Sequence, residues 1–417
     1  MFKSKIIGFA FFFILFILID LYTWQGVRLI VRNSSDSTKK IVTWTYWGYT
    51  IFLVLFMILS RSLVGFMSPT AMRFFATLFF SIFIVKILWC LFLFIDDIIR
   101  FFQWIGKDIF NKNVGVETFG NGGITRSKFL NYLGLAIGGF FLSNAIWGVV
   151  KGAHNYIVRR KKVVIDNLPE GLKGLKIVQI SDIHTGSFWS KEAVERGVEL
   201  ILKEKADLVF FTGDLVNDTS KEAEPWLDVF GRIKAPLGVY SILGNHDYGD
   251  YVMWESESAK LDNMKQMYSH HKQMGWDLLL DENRILEFNG EKLAVIGVQN
   301  WSAKGRFPKY GDLEKAHAGT DGVSLKLLLS HDPSHWREQV LGKKQDINIT
   351  FSGHTHGMQF GIDSKFYRWS PVKYLYKEWI DLYSEGKQHL YVNRGFGYLG
   401  YPGRMGIFPE ITVITLA

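Results

Sequence analysis

The chain has 417 residues, 48% hydrophobic and 16% aromatic, with 34 Phe, one Cys and a formal charge of +8. A lone Cys excludes any disulfide within the chain. The positive balance fits an anionic lipid surface, and no basic stripe interleaved with aromatics is present, so nucleic acid is excluded as a partner.

Apolar residues crowd the chain before residue 151. Four runs, 6–27, 41–60, 74–95 and 129–150, reach the roughly 20 residues that a bilayer crossing needs. The first follows Lys3 and Lys5 as a signal peptide would. It is long, however, has no small-residue cleavage site, and precedes three further runs. A multi-pass cell-membrane protein is expected, with 1–150 a four-helix transmembrane region, 151–165 a basic juxtamembrane linker and 166–417 a C-terminal domain outside the bilayer. Both termini then lie on one side. Cationic residues divide nine to eight between the sides. The dense Arg159-Arg160-Lys161-Lys162 cluster assigns the C-terminal half to the cytoplasm. Residues 96–110 read as an amphipathic segment at the interface. Asp20 and Lys86 fall inside spans one and three at similar depth, and are expected to pair, because an unpaired charge there is expensive. "GLAIG" (134–138) matches a small-xxx-small helix contact.

After about residue 163 short β-branched runs alternate with helical stretches. "LKIVQISDIH" (175–184), "DLVFFTGD" (207–214), "GVYSILGNHD" (238–247), "LAVIGV" (293–298), "LKLLLSHD" (325–332) and "INITFSGHTH" (347–356) read as strands followed by loops. "SKEAVERGVELILKEK" (190–205) reads as a helix with a Ser N-cap. This alternation predicts an α/β layered domain.

Five of these strands end in groups that can ligate a metal: Asp182 and His184; Asp214; Asn245 and His246; His331; His354 and His356. Loops at the C-terminal ends of strands converge on one edge of a sheet. Carboxylate oxygen with imidazole nitrogen suits Mn, Fe or Zn better than Mg or Ca. Any one of these histidines alone is more simply structural or at the surface; five clusters in one domain reverse that reading. His335 reads as structural or at the rim, and His270, His271 and His317 as surface residues.

"DIH" (182–184), "GDLVND" (213–218), "GNHD" (244–247), "SHDP" (330–333) and "GHTH" (353–356) stand in order with no ligand replaced. In that pattern the chain resembles the calcineurin-like metallophosphoesterase family over about residues 175–395. The wording is closest to the membrane-associated bacterial branch, which includes enzymes resembling UDP-diacylglucosamine hydrolases. The resemblance implies two packed β-sheets flanked by helices, and two divalent ions (Mn, Fe or Zn). Asp182, His184 and His356 would hold one ion, Asn245, His331 and His354 the other, and Asp214 would bridge them. Paired ions in such a site activate water and offset charge on phosphoryl oxygens. His246, paired with Asp247, would contact the phosphate and protonate the leaving oxygen, a role that suits imidazole. Arg394 and Arg404 would approach "GHTHG" and contact phosphate or a headgroup. Gly353 and Gly357 would let the backbone come close to the ions.

The loops 248–284, with Tyr251, Met253 and Trp254, and 298–316, with Lys304 and Arg306, are expected to overhang the site. The expected architecture is thus an α-helical transmembrane bundle of four helices followed by an α/β metallophosphoesterase domain. The expected activity is phosphoester or pyrophosphate hydrolysis on a substrate presented at the lipid bilayer, with a lipid-linked nucleotide the sharpest candidate. Two alternatives stay open: a tethered phosphodiesterase or phosphatase acting on a soluble substrate, and a non-enzymatic membrane sensor or transport module. The oligomeric state is left undetermined.

Overall fold

The computed structural model describes residues 2–63, 69–110 and 125–417. It divides into two compact units, Met1–Ile146 and Trp147–Ala417. Four helices form where the apolar runs lie: α1 Phe2–Ile30, α2 Asp36–Leu63, α3 Pro69–Phe110 and α4 Arg126–Val150. Among the described residues Phe11–Ile30, Ala71–Gly106 and Arg126–His154 are long and apolar enough to cross a membrane. The remaining expected span lies in α2, part of whose side chains fall outside the described residues. Phe11, Leu18, Phe52, Phe80 and Phe140 point outward, as suits a lipid-facing surface.

The interfacial segment expected at 96–110 is instead the end of α3, continuous with the span before it. It contains no proline to break the helix. Asp20 and Lys86 do pair: Lys86 Nζ lies 2.5 Å from Asp20 Oδ1. Thr50 Oγ1 donates to the other carboxylate oxygen at 2.6 Å, and Tyr46 OH donates to the Asp20 carbonyl at 2.8 Å. The ammonium also stands over the Tyr46 and Tyr49 rings, 4.9 and 5.4 Å from their centroids. The small residues of 134–138 work as predicted. A Cβ on Gly134 or Gly138 would stand 2.9 or 2.7 Å from Trp89 or Val85 of α3, so both glycines permit a close helix contact.

The second unit begins with β1 (Ile157–Val163) and continues with β2 (Lys176–Ile180), α5 (Lys191–Lys203), β3 (Leu208–Phe211), the single turn α6 (Leu227–Phe230) and β4 (Val239–Ser241). Next come α7 (Glu257–Met274), β5 (Asp277–Leu278), β6 (Glu282–Phe288), β7 (Glu291–Gly297), α8 (Leu313–His317), β8 (Leu325–Leu329) and β9 (Ile349–Ser352). The hairpin β10 (Ile362–Asp363) and β11 (Arg368–Trp369) precedes β12 (Asp381–Glu385), β13 (Gln388–Val392) and β14 (Glu410–Leu416). Two six-stranded sheets result, ordered β1-β14-β2-β3-β4-β5 and β12-β13-β9-β8-β7-β6.

Strand periodicity explains the layering. Ile177, Phe210, Leu293, Val295, Leu327, Leu329 and Phe351 form a core between the sheets. Their neighbours point the other way: Val178, Val209 and Phe211 pack under α5 and α7, and Ala294, Ile296 and Leu328 pack with Trp336. Helix α5 starts at the Ser190 cap, whose Oγ accepts from Ala193 N at 3.3 Å, and buries Val194, Val198 and Ile201.

One boundary differs from expectation. Much of the expected linker 151–165 is β1, paired in parallel with β14 from Ile157↔Glu410 to Val163↔Leu416. Its charges face carboxylates of the same unit: Arg159 meets Asp363 at 2.5 Å, Lys161 meets Asp381 at 2.8 Å, and Arg160 meets Glu204. The cluster that looked like a topology signal is largely engaged in these ion pairs.

Candidate metal centre

Strands β2, β3 and β4 run parallel in one sheet and β8 and β9 run parallel in the other. In the first sheet Ile180 is level with Phe211, and Phe211 with Ser241; in the second Leu329 is level with Phe351. The loops bearing the predicted ligands therefore start at matching levels. Gln179 Nε2 donates to Ser352 O at 2.9 Å and ties the two sheets together there.

The ligand atoms gather in two groups, Asp182 with His184 and His356, and Asp214 with His331 and His354. Within each group the atoms lie within 4.8 Å of one another. His184 Nε2 is 3.0 Å from His356 Nε2, which is 3.2 Å from Asp182 Oδ1. His331 Nε2 is 3.2 Å from Asp214 Oδ2 and 3.2 Å from His354 Nδ1. Asp214 Oδ2 also lies 3.6 Å from His184 Nε2, so one carboxylate oxygen reaches both groups. Ligand atoms about 2.0–2.2 Å from one ion stand roughly 3.0–3.6 Å apart, which these separations match. Asn245 adds a further donor. Its Nδ2 donates to Tyr251 OH at 2.9 Å, while its buried Oδ1 has no hydrogen-bond partner among the described residues. A bare buried acceptor costs free energy unless something else satisfies it. The residues present fit two divalent ions.

Hydrogen bonds aim the imidazoles. Nδ1 of His184 lies 3.1 Å from Val216 O and Nδ1 of His331 lies 2.7 Å from Thr212 O, so each donates its N–H and leaves Nε2 free to ligate. His354 is reversed: its Nε2 faces Tyr376 OH at 3.0 Å and Asp332 Oδ2 at 3.4 Å, leaving Nδ1 for the site. Burial pushes His184 down to about 3 and His354 down to about 4, and holds His356 well below the usual histidine range. All three are neutral, the form that ligates. Burial also opposes charge on His331, but Asp214 and Asp182 outweigh it and push that group up to about 10. The two carboxylates thus call for a cation, a need that divalent ions meet.

The backbone is held in an unusual shape. Asp182, His184, Asp214, His354 and His356 have φ of 50, 51, 61, 69 and 50°. For residues with a Cβ this left-handed region costs about 1–2 kcal/mol each, and such outliers cluster at functional sites. Gly353 is confined differently: a Cβ there would collide with Ser181 Oγ and the Asp182 carboxylate.

Several expected roles change. Asp247 is not placed to pair with His246. Its buried carboxylate accepts from four backbone amides, Gly244 and Asp214 at 2.9 Å, Leu215 at 2.7 Å and Val216 at 3.2 Å. It is a positioning residue that joins the Asp214 loop to the Asn245 loop. His246 instead sets Nδ1 2.6 Å from Asn217 O, and its backbone N–H donates to Asp214 Oδ1 at 2.9 Å. Arg394 is fully buried, bonded to Glu410 and 3.1 Å from Asp363, so an internal ion cluster takes the place of the expected phosphate contact. Arg404 is also fully buried. It donates to the carbonyls of Gly397 (2.6 Å) and Gly395 (3.3 Å), and its Nη2 stands 3.2 Å from His356 Nδ1. It braces His356 and is withdrawn from the rim. His270 and His271, expected at the surface, are buried on the inner face of α7. His335 is structural, held between Ser330 and Gln339 at 2.7 and 2.9 Å. Sequence reasoning passed over Asp332 and Tyr376, which orient His354, and Asn217, which orients His246. Asp332 and Asn217 carried a signal, the first beside His331 in "SHDP" and the second inside "GDLVND"; Tyr376 carried none.

Buried imidazoles and carboxylates gathered at the strand ends of two packed sheets define a metal-dependent hydrolase centre. Residues 175–358 match the family model for calcineurin-like phosphoesterases, and residues 4–153 match that of a four-span calcineurin-like phosphoesterase transmembrane domain. The chain belongs to the calcineurin-like phosphoesterases and is a membrane-associated, metal-dependent member of that family. A zebrafish (Danio rerio) transmembrane protein with metallophosphoesterase domain is 27% identical over 413 residues, 96% of this chain and 87% of its own length. An uncharacterized metallophosphoesterase of Bacillus subtilis is 28% identical over 301 residues, 70% of this chain and 98% of its own.

Proposed function

We propose that the chain hydrolyses a phosphoester or pyrophosphate bond of a substrate presented at the bilayer surface, with a lipid-linked nucleotide the leading candidate. The observation that carries the reading is Asp214 Oδ2, 3.2 Å from His331 of one ligand group and 3.6 Å from His184 of the other. In this reading Asp182, His184 and His356 hold one divalent ion, Asn245, His331 and His354 hold the second, and Asp214 is shared. Mn, Fe and Zn all suit this donor set. Two such ions activate water as the nucleophile and offset charge on the phosphoryl oxygens.

The chain's own residues do the rest. The Asn217 carbonyl fixes the Nδ1–H tautomer of His246, so that Nε2 is the atom that exchanges a proton with the leaving oxygen. Tyr251, whose ring centroid is 4.7 Å from that of His246, and Phe307, 4.7 Å from that of His354, put apolar surface beside both groups. That supports a substrate with an apolar portion. The catalytic domain faces the cytoplasm in this reading, the side that holds nine of the seventeen cations flanking the spans once Arg159, Arg160, Lys161 and Lys162 are counted with it.

The test is to incubate the purified protein and Mn with an extract of membrane lipids and identify the phosphorylated species that disappears. Loss of a lipid-linked phosphate ester or pyrophosphate by wild type, but not by Asp214→Ala, is the expected result. A large kcat/KM preference for soluble diesters would favour a tethered soluble-substrate enzyme. No turnover of either substrate type would point to a binding or sensing module.

A further inference from the structure

Directly after the last histidine ligand the chain makes an excursion, residues 357–377, "GMQFGIDSKFYRWSPVKYLYK". Its hairpin β10–β11 is a separate two-stranded sheet. The excursion exposes apolar side chains to an unusual degree: Phe366 is 97% exposed, Tyr374 73% and Tyr367 55%, and Met358, Ile362 and Leu375 are about half exposed. Leaving a large apolar side chain in water forgoes about 1.5–3 kcal/mol, and clusters of this kind mark interaction surfaces.

The charges choose the partner. Lys365, Arg368, Lys373 and Lys377 are exposed on the same excursion. Its single acid, Asp363, is turned inward, its side chain 3% exposed and paired with Arg159, Arg368 and Arg394. The excursion itself therefore offers lysines between aromatics and contributes no exposed carboxylate; the exposed acid Glu385 lies 4.0 Å from Lys377 at its far end. Aromatic and basic residues together are the composition of the membrane–water interface, and basic clusters are drawn to anionic leaflets. The chain's candidate membrane-spanning helices tie this unit to a bilayer.

We propose that residues 357–377 form an interfacial docking surface for an anionic lipid leaflet, with Phe366 at the β10–β11 tip and Tyr374 entering the headgroup layer and Lys365 and Lys373 meeting lipid phosphates. The excursion starts next to His356 and ends at Tyr376, whose hydroxyl holds His354 at 3.0 Å. Docking therefore braces both ends of the loop that carries two ligands.

The test places a nitroxide at Phe366→Cys, and separately at Tyr374→Cys, in full-length Cys90→Ser protein held in nanodiscs. Nanodiscs containing phosphatidylglycerol are compared with phosphatidylcholine alone, and collisions with oxygen and with a water-soluble nickel chelate are measured. Circular dichroism confirms the fold of each variant. In the anionic nanodiscs both labels should favour oxygen over the chelate, while a control label at Asp321→Cys stays water-like. Lys365→Glu with Lys373→Glu should lower the docked-to-free ratio by roughly 20-fold or more, at about fivefold per cation near the surface. A label at either position open to the nickel chelate in both lipids would overturn the proposal. Shielding from both probes would also overturn it, by showing that a protein surface, a partner or a second copy, covers the face.

Discussion

Asp247→Asn preserves shape and removes one charge from the carboxylate that joins the Asp214 and Asn245 loops. In the native protein Oδ2 accepts from the Gly244 and Asp214 amides and Oδ1 from those of Leu215 and Val216. An amide oxygen can serve one of these pairs; its NH2 group then faces the other. Two buried N–H groups lose their acceptor at about 1–3 kcal/mol each, about 2–6 kcal/mol together. Burial, and then the neighbouring Asp214, push the Asp247 carboxyl up to about 7, so removing the charge gives part of that loss back. A net destabilisation of about 3 kcal/mol is expected, which for a unit of this size lowers Tm by about 6–12 °C. Thermal unfolding of the purified full chain, followed by tryptophan fluorescence, reads the shift. Mass-spectrometric metal analysis should show metal lost as well, because the two loops separate. A variant with unchanged Tm and metal content that loses only kcat would refute the reasoning and put Asp247 in contact with the reacting atoms.

His246→Gln should keep its metal and lose about 10²–10⁴ in kcat, as steady-state kinetics with parallel metal analysis will show; loss of metal would make it a ligand. Lys86→Met strands the buried Asp20 carboxylate and should destabilise the helical unit by about 3–5 kcal/mol, whereas Asp20→Asn with Lys86→Met should recover most of that in denaturant unfolding. Equal losses in the single and double variants would mean that the pair is not coupled. Metal affinity should rise with pH. Burial resists charge on His331, but Asp214 and Asp182 push that group up to about 10 in the metal-free protein, so below that value a proton competes with the metal. The apparent Kd should tighten by up to about tenfold per pH unit between roughly pH 7 and 9, and calorimetry in buffers of different ionisation enthalpy should record proton release. A pH-independent Kd would contradict this.

What the sequence made legible follows from where each signal is stored. The gathering of the candidate ligands into two groups was readable because their chemistry and their place after β-branched runs both survive in one dimension. The Asp20–Lys86 pair was readable because a charge in an apolar run has few places to go. The roles of Asp247, Arg394 and Arg404 were not, because an ionic side chain near a motif looks alike whether it meets a substrate or a backbone amide. Only burial separates the two, and Arg394 and Arg404 prove fully buried. Strand β1 was hidden for a related reason. Its four consecutive charges mask the period-2 pattern, and their partners Asp363, Asp381 and Glu204 lie far along the chain. Tyr376 acts through a hydroxyl that no motif marks, and Asn217, although inside "GDLVND", acts through its backbone carbonyl, which the residue type does not reveal.

The central claim is that two divalent ions share Asp214, and anomalous diffraction from crystals grown with Mn measures this most directly. Two peaks about 3.5–4 Å apart are predicted, one against Asp182, His184 and His356, the other against Asn245, His331 and His354, with the Asp214 carboxylate between them. A single peak, or a pair that leaves Asp214 outside coordination distance of either ion, would contradict the account.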